Sequence, residues 1–399
     1  MRILSMSSLL ISLLVGCAGR QQTLAYWDAV THAEPDVALA HAPDDHTRRY
    51  AQVLHTLMSG PASEARPDLE ELMEVGRPRV ARASTRLLVH LMRLESDWTG
   101  IAEMLGRSPE ATFAAAMSEA PPEVLHQPEH AVTLPAPSND FGVPTVTVVV
   151  NDEQRQFWID TGAASSVVAS DVAVAAGVSP LEASMDVGTA TNIEVGVSAA
   201  VIDDLRVGPL KVQHHPVFIV DAAALTFDYE DKVVKIDGIL GWPLIQQLHL
   251  ELDYAAETLT MHPPGDHSDG RQSLYWLGFP VLPGATGDAQ NLRFFLDTGA
   301  ATSSLMPGYL DRAPTVSGRR VTFGIGGAGG WETVTGTQID DVSVEVGGAT
   351  VHFDTMEAYP QDFNYVLDAD GVLGSDVGRG KRMRLDYPCR TFALEESDG

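Results

Sequence analysis

Basic residues and cysteine are both scarce in this chain, and each shortage narrows what it can do. Only 26 Lys and Arg stand against 54 Asp and Glu in 399 residues, a formal net charge of −28. A phosphate backbone would be repelled, so neither nucleic acid nor an anionic membrane surface is expected as a partner. The two cysteines, Cys17 and Cys389, are too few for a disulfide framework. Metal-ligand spacing is missing as well. His214 and His215 are adjacent on a strand-like run and so point to opposite faces, and no carboxylate or thiol stands at ligand spacing from them. No metal and no other cofactor is therefore expected. Past the first twenty residues no apolar run approaches the length needed to cross a bilayer. What remains, 44% apolar and 20% charged, is the composition of a globular protein long enough for two or three domains.

One short pattern occurs twice. Phe157-Trp158-Ile159-Asp160-Thr161-Gly162-Ala163 and Phe294-Phe295-Leu296-Asp297-Thr298-Gly299-Ala300 each put a carboxylate, a hydroxyl and a glycine after three bulky apolar residues. The apolar run suits a strand covered on both faces, and the glycine allows a sharp turn or a close approach. The flanks repeat too. Asp237-Gly238-Ile239-Leu240-Gly241 and Asp370-Gly371-Val372-Leu373-Gly374 follow the two turns, and Leu252-Asp253-Tyr254 and Leu385-Asp386-Tyr387 follow those. Ile202-Asp203-Asp204 and Ile339-Asp340-Asp341 each begin 42 positions after their acid, so the register is shared. The pattern indicates internal duplication of a unit of somewhat over a hundred residues.

A strand ending in Asp-Thr-Gly-Ala, followed some seventy residues later by two apolar residues and a glycine, resembles the half-site of an aspartic peptidase of the retropepsin-like branch. The resemblance covers roughly residues 140 to 399. It implies a mainly β, bilobed, acid-protease-like double β-barrel built from two retropepsin-like lobes in one chain. It further implies Asp160 and Asp297 as a catalytic dyad, supported by Thr161, Gly162, Thr298 and Gly299. The threonines would hydrogen-bond across the lobe interface, and Ile239-Leu240-Gly241 and Val372-Leu373-Gly374 would thread behind the catalytic loops. A peptide or protein is then the expected substrate.

The first residues form a targeting segment, with Arg2 at its start and an apolar core from Leu9 to Val15. Leu14-Val15-Gly16-Cys17 resembles a bacterial lipobox, which implies Cys17 as the lipidated first residue of the mature protein. That reading places the protein in the bacterial cell envelope, facing the periplasm and held by its lipid anchor alone. Cys389 would then have no disulfide partner and is expected as a small buried apolar residue.

Five segments are expected: a signal segment over 1–17, a helical region over 18–118, a Pro-rich linker over 119–142, and lobes over 143–266 and 267–399. In the helical region Tyr50, Val53, Leu54, Leu57 and Met58 share one helical face before Gly60-Pro61 ends the run. Further helices are expected over 68–75, 80–94, 97–105 and 108–117, arranged as helical hairpins that serve as a spacer or as a docking module for a protein partner. Prolines 121, 122, 128, 135 and 137 mark the linker as stiff and extended, and cleavage there would release the catalytic unit. In the first lobe Val146, Val148 and Val150 share one face of a strand. The second lobe carries Phe323-Gly324-Ile325-Gly326-Gly327-Ala328-Gly329-Gly330-Trp331, which is similar to the retropepsin flap. Gly324, Ile325, Gly326, Gly327 and Trp331 are thus expected against substrate. No Lys-Ser/Thr pair follows to make this a phosphate loop.

Amide hydrolysis without a metal needs one group to take a proton from water and another to give one to the leaving nitrogen. Two close carboxyls sharing one proton meet both needs. The leading expectation is an aspartic endopeptidase. The alternative is a catalytically inactive peptide-binding or scaffolding lipoprotein of the same fold, against which stands the presence of two like charges that a binding cleft does not need.

Overall fold

The computed structural model describes residues 22–189, 191, 193–229, 232–265, 272–360 and 368–397. The proposed lipobox with Cys17, and the expected lobe boundary at 266–267, lie outside the described residues. No helix among those described is long and apolar enough to cross a membrane.

Residues 22–91 belong to a first compact unit, together with 276–278 and 368–369. It is helical: 22–31, Pro35–His41, Asp45–Ser59, Arg66–Val75 and the greater part of Pro78–Leu94. Tyr50, Val53, Leu54 and Leu57 bury one stripe of Asp45–Ser59, as their spacing predicts. Its first turn is closed by a capping box, in which Asp44 Oδ1 accepts the Thr47 N–H at 3.0 Å and Thr47 Oγ1 accepts the Asp44 N–H at 3.1 Å. The helices 22–31 and Pro35–His41 lie inside the expected helical region but are not singled out by the sequence. Pro35–His41 is seven residues long, too short for a helical period to show.

The second unit is mainly β and contains both Asp-Thr-Gly turns. An eight-stranded sheet runs in the order 124–126, 210–220, 166–169, 238–240, 153–159, 145–150, 194–207, 180–188, and pairing between 194–207 and 210–220 closes it into a barrel. Val146, Val148 and Val150 are buried on its inner face. Strand Gly238–Leu240 runs parallel to Glu153–Ile159, with Ile239 opposite Trp158. The second repeat reproduces this pairing, Gly371–Leu373 lying parallel to Leu292–Leu296 with Val372 opposite Phe295. Those are the two expected threading strands. A further five-stranded sheet, 132–135, 258–262, 249–253, 381–386 and 391–396, draws strands from both repeats.

Two segments differ from expectation. Helices Trp98–Leu105 and Pro109–Ser118 belong to this β unit rather than to the helical one. Phe113 places its ring edge-on to Phe218 at 5.0 Å, because the apolar face of a ten-residue helix gains more from a sheet than from solvent. The stretch expected as a linker is extended but not separate. Val124–His126 pairs with 211–213, and Val132–Pro135 pairs with 258–261, so both are edge strands. Pro135 fits such a position, since an edge strand can spare an N–H. Cutting here would strip strands from the β unit rather than release it intact. Cys389 also departs from expectation: it is half-exposed in a turn where Asp386 Oδ1 accepts its N–H at 2.9 Å.

Candidate active site

Each Asp-Thr-Gly follows directly on a strand: Glu153–Ile159, buried at Phe157 and Ile159, in one repeat, and the largely buried Leu292–Leu296 in the other. The two turns meet. Thr161 Oγ1 donates to Leu296 O at 2.8 Å and accepts the Thr298 N–H at 3.0 Å. Thr298 Oγ1 returns the arrangement, donating to Ile159 O at 2.7 Å and accepting the Thr161 N–H at 3.0 Å. Both hydroxyls are buried, so all four bonds are shielded from water. The glycines let the turns touch: a β-carbon on either would overlap the carboxyl of the other turn's aspartate.

Asp160 Oδ1 accepts the N–H groups of Gly162 and Ala163 at 2.8 and 3.0 Å, and Asp297 Oδ1 accepts those of Gly299 and Ala300 at 3.0 and 3.1 Å. Each carboxyl rests against the glycine of the opposite turn, which brings the two acids close enough to shift each other's titration. Each aspartate is half-buried. Burial pushes Asp160 well above the usual carboxylate range, and the Asp297 charge pushes the same way. Burial raises Asp297 too, against the opposing pull of its hydrogen bonds from Asp160, Ala300 and Gly299. The pair therefore keeps one proton into milder pH than a free carboxylate would. That is the protonation state in which one member accepts a proton and the other gives one.

Behind each loop lies a serine that the sequence reading passed over. Ser166 and Ser303 each stand six positions after their aspartate. Ser166 Oγ accepts the Gly241 N–H at 3.1 Å, and Ser303 Oγ accepts the Gly374 N–H at 3.0 Å. The threading strands are tied to the loops further: Leu240 O and Leu373 O accept the Asp160 and Asp297 N–H groups at 3.0 and 2.9 Å. Ser166 also meets His215, which in turn meets Glu123. The order of groups matches a serine-hydrolase triad, but Ser166 is 1% exposed and its oxygen already holds Gly241, so no substrate carbonyl reaches it. The remaining repeated aspartates serve turns and ion pairs. Asp370 Oδ2 accepts the Arg293 N–H at 2.7 Å, Asp253 Oδ1 accepts those of Ala255 and Ala256, and Asp237 pairs with Lys235 at 3.2 Å.

The glycine-rich run forms the tip of a hairpin, Arg319–Gly327 with Gly330–Val346, in which Gly326 is opposite Trp331. The glycines make room: a β-carbon on Gly326 would stand 3.0 Å from the Trp331 indole. Gly329 and Gly330 have φ of 90° and 125°, which only glycine adopts without strain. The tip is anchored on the first repeat. Gly329 N–H donates to Ala224 O at 2.8 Å, and Trp331 meets Phe227 edge-on at 6.0 Å. Tyr359 lies near Asp297 and packs against Phe323 at the base of the same hairpin; burial, with the Asp297 charge adding to it, raises its hydroxyl above the usual range. Among the described residues no cluster of three or more His, Cys, Asp or Glu could hold a metal ion.

Residues 146–244 match the aspartyl protease family model. That stretch contains Asp160, Thr161, Gly162 and the threading strand Gly238–Leu240. No curated protein matches the chain. Among solved structures, an aspartic proteinase from Irpex lacteus is similar at a TM-score of 0.41 and 12% identity, over 67% of this chain and 98% of that one.

Proposed function

We propose that the chain is an aspartic endopeptidase, tethered by lipid at Cys17 and facing the periplasm. The eight-stranded sheet described above and a second one, in the order 275–276, 280–286, 292–296, 371–373, 304–305, 349–358, 330–346, 319–327, are read as the lobes of an acid-protease-like double barrel, arisen by duplication, each contributing one aspartate. One observation carries the reading: two loops locked by reciprocal threonine bonds bring the carboxyl of each aspartate against the glycine of the other's turn. The ionised carboxylate takes a proton from a water molecule as its oxygen attacks the peptide carbonyl, while the protonated carboxyl donates to the carbonyl oxygen. Collapse of the resulting diol breaks the C–N bond, and the proton passes to the leaving nitrogen. The anchored hairpin over Gly324 to Trp331 supplies a lid that excludes water around substrate.

The test is incubation of the full chain with a diverse peptide mixture across pH, with products read by mass spectrometry. New internal cleavages by the wild type that vanish in Asp160→Asn support the reading. Cleavage by neither protein, with peptides retained by both, would favour a binding lipoprotein instead. Cys17→Ser should leave cleavage intact and move the protein from membranes to the soluble fraction.

A further inference from the structure

The two catalytic loops are braced by the same serine but by different partners beyond it. In the second repeat Ser303 Oγ donates to Asp376 Oδ1 at 2.5 Å, and Asp376 also accepts the Ser303 N–H at 2.8 Å. Asp376 stands two residues past Gly374. Two residues past Gly241 stands Pro243, which carries no such acceptor. A different element fills the role there. His215, 2% exposed on strand Leu210–Val220, places Nε2 at 2.8 Å from Ser166 Oγ. The Glu123 carboxylate can only accept, so Nδ1 carries the ring proton toward Oε1, and Nε2 of the neutral imidazole is left to accept the Ser166 hydroxyl proton. Gln247 Nε2 fixes the other oxygen of Glu123 at 3.3 Å and reaches Pro243 O at 2.9 Å. The exchange is mutual. His215 pairs with Ile202, and the residue that pairs with the matching Ile339 is Met356, which is apolar and buried.

We infer that His215, oriented by Glu123, is a positioning residue for the Asp160 loop, replacing the carboxylate that serves the Asp297 loop. The strand Val124–His126 brings Glu123 to its place, so the segment before the first repeat holds one half of the dyad in register. The inference rests on the peptidase reading for its kinetic consequence but not for its structural one.

Hydrogen exchange on the full chain tests it. Glu123→Ala should speed exchange in 160–166 by about tenfold, the factor set by one ordinary hydrogen bond, and leave 297–303 unchanged. Glu123→Gln, whose carbonyl still accepts from Nδ1, should keep wild-type protection. His215→Met should behave like Glu123→Ala, and where the wild type cleaves peptides both should lower kcat by about tenfold with KM held. Equal protection in Glu123→Ala and wild type, or loosening shared by both loops, overturns the inference. A wild type that hydrolyses nothing sinks the peptidase reading alone, because the exchange result still decides the brace.

Discussion

A β-carbon on Gly162 would lie 2.4 Å from Cγ of Asp297, and one on Gly299 would lie 2.3 Å from Cγ of Asp160. Each glycine is thus the surface on which the opposite carboxyl rests, and the spacing of the dyad is set by the absence of two side chains. Gly162→Ala and Gly299→Ala should each force the carboxyls apart and lower kcat/KM by about a hundredfold, the scale of an ångström-sized misplacement. Kinetics beside circular dichroism checks this. A variant that folds and cleaves at the wild-type rate would contradict it.

The threonine bonds predict a coupled loss. Thr161→Val keeps the shape but leaves Leu296 O and the Thr298 N–H without partners in a buried place. Each such group costs about 1 to 3 kcal/mol. Urea unfolding should show that loss in Thr161→Val and again in Thr298→Val, with activity falling alongside. Unchanged midpoints and rates in both would remove the brace.

The raised carboxyls make a signed prediction about pH. A carboxyl whose folded pKa lies above its unfolded one lends its full contribution below the unfolded value, and loses it as pH rises through the folded value. Both members of the dyad are raised, so the pair weighs on the fold from weakly acidic pH upward. Asp160→Asn should therefore melt at a higher temperature than wild type at neutral pH, with the gain shrinking as pH falls through the raised values and gone once pH is below the ordinary carboxylate range. A gain that is largest in acid would contradict the assignment. Activity should peak in the weakly acidic to neutral range, where the pair holds one proton.

What was legible in the sequence was local or repeated. Asp160 and Asp297 showed because an apolar strand, an acid and a glycine are contiguous, and the threading strands showed because they recur in register. Ser166 and Ser303 were readable by the same arithmetic, six positions after each acid. His215 and Glu123 were not, since 92 residues separate them and no period links a strand residue to a segment dense in proline. Prolines 121, 122, 128, 135 and 137 read as extended backbone, but extended backbone does not say whether its hydrogen bonds go to water or to a sheet edge. Strands 124–126 and 132–135 chose the sheet. The anchoring of Gly329 on Ala224 was equally hidden, because it joins a hairpin tip to a distant turn through backbone atoms that carry no sequence signature.

The central claim is that Asp160 and Asp297 act as one proton-sharing unit, and a double-mutant cycle on kcat/KM measures that directly. Asp160→Asn, Asp297→Asn and the pair together should all fall to the same floor, because removing either carboxyl already removes the unit. Losses that add across the cycle, or substantial cleavage by either single variant, would show that the two carboxyls work apart.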